Sequence, residues 1–506
     1  MTVLLAAGLT IQTAIFLMAA FAWFRSRAYT FAEAAAGAIV TVFIAVSLIH
    51  QVGCYIKQPL FPLLIELATL VAVVICGRRR LGQPFEMPAA AIHLLRQEIF
   101  PGLIIAIAWL AMIGMVVKGW FGASHLPTVR PWALLMDGSP DVGRFCTNTA
   151  GPLTSLNTAA LFHHATRFGL APGACGFGVL AHMAVGFSTY ALARRYAWPP
   201  MAMTVTLMVL CIPRLVFLSV TPAAELISTA AVGFAMLLVY RLVELNRPGD
   251  LRLFLLSVLF SIYASPMSIA LVPVLIFLLS VMMIRRHGWL SLWEMITDRP
   301  MVTGALLLPA IILAQIPVYV TNRIVTNPMS GNEIAFEAGG IIGAAANLVR
   351  YLFISCDPTE PVQNMLKWLV GLDLNSLLMG FYQVMMAMLP GQGDTADSFA
   401  LHFSVRGDFG IGPFALILIL PAMIHALVRG PRRLKSVSLA WVGYLYLAAL
   451  VLAWQPSNLS VLCPFYAANG FIVAFSLPAW RLRRRGMRLL QVDFAILMAW
   501  TLISCW

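Results

Sequence analysis

Charge is what this chain has least of. Of its 506 residues 10% are charged and 61% are hydrophobic, whereas a soluble globular domain carries roughly 25% charged residues. Acidic residues are the scarcer sign, 20 against 33 basic ones. The eight cysteines form no CxxC and no Cys/His cluster, which leaves out the usual sequence-local metal spacings. Walker, GxGxxG, HExxH and nucleophile-elbow motifs are also missing, and with them the common signatures of nucleotide, zincin and α/β-hydrolase chemistry. There is no tandem repeat, low-complexity tract or soluble domain. What remains is long apolar runs, with a mean hydropathy of +0.88. A bilayer core about 30 Å thick is crossed by about 20 apolar residues at about 1.5 Å each. By that rule the chain holds about thirteen or fourteen spans, and the fold class is an all-α polytopic membrane protein.

The net charge of +13 does not point to nucleic acid. The basic residues sit in short clusters at span ends: Arg25 and Arg27, Arg78 to Arg80, Arg194 and Arg195, Arg285 and Arg286, Arg432 to Lys435, and Arg481 to Arg485. That is the positive-inside pattern, reinforced by anionic lipid on the cytoplasmic face. It sets the N-terminus outside. The first apolar run lacks a basic leader and is long for a cleaved signal, so it reads as a span. Residues 1–98 form N-terminal membrane hairpins and a cytoplasmic link. Residues 99–480 form a transmembrane core with extracytoplasmic loops over 118–173 and 321–408, and 481–506 form a basic link and a final span. Within the core, 253–284 is a hairpin broken at Ser265-Pro266, the Trp293-Glu294 region is an interfacial helix, and 338–355 is re-entrant or interfacial. Cys76, Cys211, Cys463 and Cys505 read as small core residues. Cys146 and Cys175 flank the first loop and are either a disulfide or two unpaired thiols.

The first loop organises the chain because it is the first long polar segment. It carries Trp120, His125, Arg130, Asp137, Asp141, Arg144, His163, His164 and Arg167. Asp137 and Asp141 are candidate acids, although Asp137-Gly138-Ser139-Pro140 is also plain turn chemistry. Pro152 and Gly169 bracket a helix on which His163 and Arg167 share a face. His163 and His164 are side chains that bind a divalent metal or an acceptor. Adjacent positions on a helix point apart, which disfavours a site using both and turns one toward the membrane surface. Glu225 stands at the mouth of two spans, where an acid needs a partner. Arg214 offers an ion pair, and a first-turn helix role is the alternative. In the second loop Asp394, Asp397, His402, Arg406 and Asp408 form the densest polar group. Arg406 with Arg350 or Arg323 has the donors to cradle a phosphate, while a solvated loop is the plainer reading. Glu66, isolated in the third span, pairs with a neighbouring helix. The stretch Met379–Met388 is a lid or a packing surface.

Several stretches occur in an order that resembles the GT-C membrane glycosyltransferases, in the bacterial branch of protein mannosyltransferases and aminoarabinose transferases. Ser124-His125-Leu126-Pro127 with Arg130, Trp132 and Asp137-Gly138-Ser139 looks like that family's Tyr-His-Leu-Pro-Arg loop. Ala191 to Tyr196 looks like its Ala-Arg-Arg signature, and Thr221-Pro222 with Glu225-Leu226 like its short acidic turn. Asp408 to Pro413 looks like the segment entering a late span, and Gln455-Pro456 with Pro464 like its last outer loop. The resemblance covers about 118–480 and leaves the first three spans outside. It implies a multi-pass protein of the bacterial inner membrane that inverts a sugar as it moves it from a polyprenyl-phosphate donor to an envelope glycan, lipid or protein acceptor. Asp137, Asp141, Glu225 and Asp408 are then the candidate catalytic acids. Trp120, His125, Arg130, Arg144, His163, Arg350, His402 and Arg406 are the candidate substrate contacts. A base must take the acceptor proton, and cations must stabilise the departing lipid phosphate.

Three positions depart from the family pattern. The register of the first-loop acid falls on Trp120, the late His-Glu-Asp is Arg406-Gly407-Asp408, and no arginine lies near Ser460. These departures raise a second reading, a catalytically inactive GT-C-fold subunit that holds lipid-linked glycan, with or without a membrane-protein partner. A third is a lipid or glycan transporter, against which stands the lack of inverted halves. No cofactor is required by any of the motifs, and a divalent metal is compatible with them.

Overall fold

The computed structural model describes residues 2–56, 58, 60–77, 99–118, 156–166, 171–221, 223–262, 266–317, 340–355, 360–389, 410–412, 414–451, 459–480 and 484–505. Every regular element among them is helical. Numbered in chain order, they begin with α1 (Thr2–Arg25), α2 (Phe31–Tyr55), α3 (Phe61–Gly77), α4 (Ile99–Lys118), α5 (Leu156–Thr166) and α6 (Ala171–Ala193). Next come α7 (Pro199–Leu210), α8 (Pro213–Ser219), α9 (Ala224–Leu245), α10 (Pro248–Phe260), α11 (Pro266–His287) and α12 (Trp289–Thr297). Then follow α13 (Pro300–Ala305), α14 (Leu307–Leu313), α15 (Gly340–Ile354), α16 (Glu360–Val370) and α17 (Leu374–Ala387). A π-turn (Ala415–Ile419) runs into α18 (Leu420–Arg429), followed by α19 (Arg432–Val451), α20 (Leu459–Asn469), α21 (Val473–Ser476) and α22 (Arg484–Cys505).

Eight of these helices are long and apolar enough to cross a membrane, or up to ten if each bent pair is one span. Shorter apolar helices (Phe61–Val73, Gly340–Ile354, Ala415–Arg429 and Leu462–Ser476) occupy other stretches that hydropathy marks. The chain is therefore an all-α polytopic membrane protein. Local chemistry sets the boundaries. Thr30 caps α2, and Glu33 reaches back to close a capping box. Proline opens α7, α8, α10 and α13, where its missing N–H costs nothing. The break at Cys211-Ile212 before Pro213 bends the pair α7–α8 by 72°, where Pro213 has no N–H to continue the α7 hydrogen-bond ladder. The hairpin break expected at Ser265-Pro266 lies between α10 and α11.

Helix α9 is the centre. Its apolar window is buried throughout, and those of α2 and α6 are 78% buried, so these three are cores inside a ring of other helices. α9 packs on α6, α10, α11 and α20, while α2 packs on α1, α5 and α6. The ring faces outward with large apolar side chains, such as Leu63, Leu64, Leu67, Val71 and Ile75 on α3 and Leu489, Val492, Ile496 and Ile503 on α22. A surface of this kind suits acyl chains and not water. α12, where an interfacial helix is expected, buries Leu292 and Met295, exposes Trp289, Leu290, Trp293 and Ile296, and is bent by 73° against α13–α14. α17 buries Tyr382 and Met386 and exposes Phe381, Val384, Met385 and Met388.

The two ends of the bundle differ in chemistry. At one end Glu33 accepts from Arg195 Nη2 and Arg241 Nη1, both at 2.9 Å, and Arg241 Nε reaches Asp250 at 3.4 Å. The Tyr29 hydroxyl donates to Asp250, and the Arg241 guanidinium lies 3.5 Å from the Tyr29 ring centroid. Burial, with the Asp250 carboxylate beside it, holds the Tyr29 phenol well above its usual value, so the donor is the neutral hydroxyl. Arg247 donates to the Arg27 carbonyl, Arg285 to Ser436 and Arg433 to Glu244. The basic span ends are thus gathered together. Seventeen residues further along α2, about 25 Å at the helical rise, stands His50 and a second polar cluster at the opposite end.

Candidate functional site

The opposite end is built where α2, α3 and α5 meet. Glu66 on α3 projects inward, against the apolar outer face of its own helix, and is 1% exposed; His50 is fully buried. Glu66 Oε1 lies 2.7 Å from His50 Nε2 and 2.8 Å from His164 Nδ1. Its second oxygen, Oε2, accepts from Gln12 Nε2 of α1 at 2.9 Å. His50 Nδ1 lies 2.9 Å from His163 Nδ1. Four helices therefore contribute to one buried chain of contacts, His163–His50–Glu66–His164, with Gln12 on its flank.

A close backbone approach makes this geometry. A Cβ added to Gly53 would lie 2.6 Å from the Pro62 ring, so only glycine lets the start of α3 lie against the end of α2. The position of α5 is fixed by a neighbouring amide network. Asn157 Nδ2 donates to the carbonyls of Phe260, Ile262 and Leu313 at 3.3, 3.1 and 2.9 Å. Asn157 Oδ1 accepts from Gln51 and Gln315 at 2.9 and 2.8 Å. Those carbonyls belong to the ends of α10 and α14, where helices leave acceptors unsatisfied. The amides thus tie two helix breaks to the helix that carries His163 and His164.

A second constellation lies at the same end, because Ser228 near the start of α9 donates to Ser261 beside the α10 break. The Arg214 N–H donates to the Gly410 carbonyl at 3.0 Å. Pro213 packs on Gly412, where an added Cβ would be 2.8 Å from its ring and φ is +82°. Helix α20, which carries the buried Cys463, packs on α9, whose first turn holds Glu225. Helix α8, the first turn of α9 and the Gly410–Gly412 segment are brought together here.

Of the candidate catalytic and substrate-contact residues, His163, Glu225 and Arg350 are described. Trp120, His125, Arg130, Asp137, Asp141, Arg144, His402, Arg406 and Asp408 lie outside the described residues, as do Cys146, Pro152, Arg167, Gly169 and Arg323. His163 and His164 correct the expectation that one of the two turns toward the membrane surface. Both are buried, and neither faces the membrane surface. Their positions do differ by about 100° around α5. The two nitrogens of His50 point to opposite sides, however, one meeting His163 and the other meeting Glu66, which bridges to His164. Glu66 pairs with a neighbouring helix as expected. Arg350 is buried on α15 and donates to Asn347 Oδ1 at 2.8 Å and Tyr382 Oη at 3.4 Å. Arg195, within the Ala191–Tyr196 stretch, is taken up by Glu33 and Glu244. Cys175, Cys211, Cys463 and Cys505 are buried free thiols.

His50, Gln12, Gln51, Asn157 and Gln315 were not legible as site residues. The only signal was that each is polar inside or beside an apolar run, which by default marks function or pairing. Compared with known proteins, the chain matches no family model, no curated protein and no solved structure.

Proposed function

We propose that the chain is a GT-C-type membrane glycosyltransferase that moves a sugar from a polyprenyl-phosphate donor to an envelope glycan, lipid or protein acceptor. The observation that carries this reading is the convergence of stretches far apart in sequence. Arg214, the turn ending in Glu225, Gly410–Gly412 and Cys463 lie at one end of the bundle, and three of the four belong to, or adjoin, segments on which the resemblance rests. That end is opposite the clustered arginines. By the positive-inside rule the arginines face the cytoplasm of a bacterial inner membrane, so the Glu225 end and the N-terminus face outward. In this reading Glu225 takes or orients the acceptor proton. Arg214 stabilises the departing lipid phosphate. Asp137, Asp141 and Asp408 are the other acids that enter the test.

A second reading, a GT-C-fold subunit that binds lipid-linked glycan without turnover, is favoured by Trp120, by Arg406-Gly407-Asp408 and by the lack of an arginine near Ser460. Transfer and donor binding in proteoliposomes, with pooled polyprenyl-phosphate sugars and an acceptor panel, separate the two. The enzyme reading expects turnover that falls about 10²–10⁴-fold in Glu225→Gln, or in Asp137→Asn, Asp141→Asn or Asp408→Asn, with donor binding kept. Binding without turnover across the acceptor panel supports the subunit. Neither binding nor turnover contradicts both.

A further inference from the structure

We propose that His50, Glu66 and His164 form a binding site for a divalent transition-metal ion of the zinc class. This site lies beyond the transfer reading, uses α2 and α3 outside the segments on which that reading rests, and stands or falls separately from it. Three observations carry it.

The first is the donor set. His50 Nε2, Glu66 Oε1 and His164 Nδ1 all lie within 4.8 Å of one another, and all three residues are buried. Two imidazole nitrogens and one carboxylate oxygen are borderline donors, which suit zinc, cobalt or iron and not calcium or magnesium. A zinc-class ion sits about 2.0–2.2 Å from each such donor, so the 2.7 and 2.8 Å contacts need only open by about half an ångström to admit it.

The second is the outer support. A metal-bound imidazole nearly always places its other nitrogen on a further partner, which fixes the ring and its tautomer. His50 Nδ1 has such a partner in His163 Nδ1 at 2.9 Å. The carboxylate oxygen that is not among the ligand atoms, Oε2, is held by Gln12 at 2.9 Å.

The third is preorganisation. The ligands come from helices and not from long loops. The residue after His50, Gln51, is bonded to Asn157 on the helix that bears His164, and the Gly53–Pro62 contact sets the approach of Glu66. A site on packed elements keeps its geometry before the ion arrives. The ion would cross-link α2, α3 and α5, and so tie the N-terminal helices to the helix that lies within the first large loop.

The test uses the full-length protein, purified in detergent, stripped with chelator and reloaded with Zn(II) or Co(II). The expected result is one metal per chain by elemental analysis, with the visible d–d absorption of a low-symmetry Co(II) site. Glu66→Gln should lower the metal content below a tenth of that value. His163→Gln should keep the stoichiometry and weaken affinity by about 10–100-fold. His164→Cys keeps a ligand at that position and should add a thiolate-to-Co(II) charge-transfer band absent from the parent protein, which guards against a ligand-removal variant that fails to fold. No bound metal in the parent protein would overturn the proposal and leave the cluster as a histidine–carboxylate hydrogen-bond chain. So would metal retained in a folded Glu66→Gln protein, or a His164→Cys protein without the new band.

Discussion

Asn157 shows how much one side chain can settle inside a membrane protein. Its two amide hydrogens are shared among three carbonyls at helix breaks, and its oxygen accepts from two glutamines. Within a bilayer no water substitutes for these partners. Asn157→Ala strands several of them at once, and each stranded buried group costs about 1–3 kcal/mol. The expected outcome is a lower thermal midpoint in detergent, equivalent to at least about 2 kcal/mol, larger than that of a substitution at an exposed surface position. An unchanged midpoint would mean that the amide network is not a structural tie. Nothing in the sequence marks Asn157 for this task, because its partners are backbone atoms of residues more than a hundred positions away.

At the scale of elements, the contact that positions Glu66 is the packing of α2 on the start of α3. Gly53→Ala puts a methyl group 2.6 Å from the Pro62 ring, and a proline ring has little freedom to move aside. Overpacking of this kind costs about 1–3 kcal/mol. The variant should melt earlier, and cross-linking between cysteines placed at positions 50 and 66 should slow as the helices part. Equal melting and equal cross-linking would remove the glycine from the argument. Elements are also the level at which the sequence was most legible. Apolar composition and length marked an all-α membrane chain and Ser265-Pro266 marked one break, whereas nothing in the apolar pattern set apart the bend before Pro213. Glu66 stood out as an acid in an apolar run. Its partners did not, because His50 and His164 reach it through a hairpin and through a long excursion of the chain. No periodicity within one helix encodes such a meeting. His163 and His164 do point apart, as neighbouring helical positions must, yet both join one cluster because His50 bonds on both sides of its ring.

At the scale of the whole molecule, the bundle has two chemically distinct ends. One gathers Arg195, Arg241, Arg247, Arg285 and Arg433 with Glu33, Glu244 and Asp250. The other holds the histidine–glutamate cluster and the meeting point of Arg214, Glu225 and Cys463. Charge placement along the sequence made this polarity legible, since an excess of basic span ends fixes orientation without reference to any fold. What sequence did not yield is which residues meet at the opposite end, because they arrive on separate helices. The transfer reading depends on this polarity outright: a polyprenyl-phosphate sugar presented on the outer face must find Glu225 there. Sidedness is therefore the measurement to make. Gln58 lies exposed between α2 and α3 beside the histidine cluster, and Asn246 lies exposed at the arginine end. With native thiols blocked, Gln58→Cys should react with a membrane-impermeant maleimide in intact spheroplasts, and Asn246→Cys only after permeabilisation. Labelling of Asn246→Cys from outside, with Gln58→Cys protected, would contradict the orientation and the transfer reading with it.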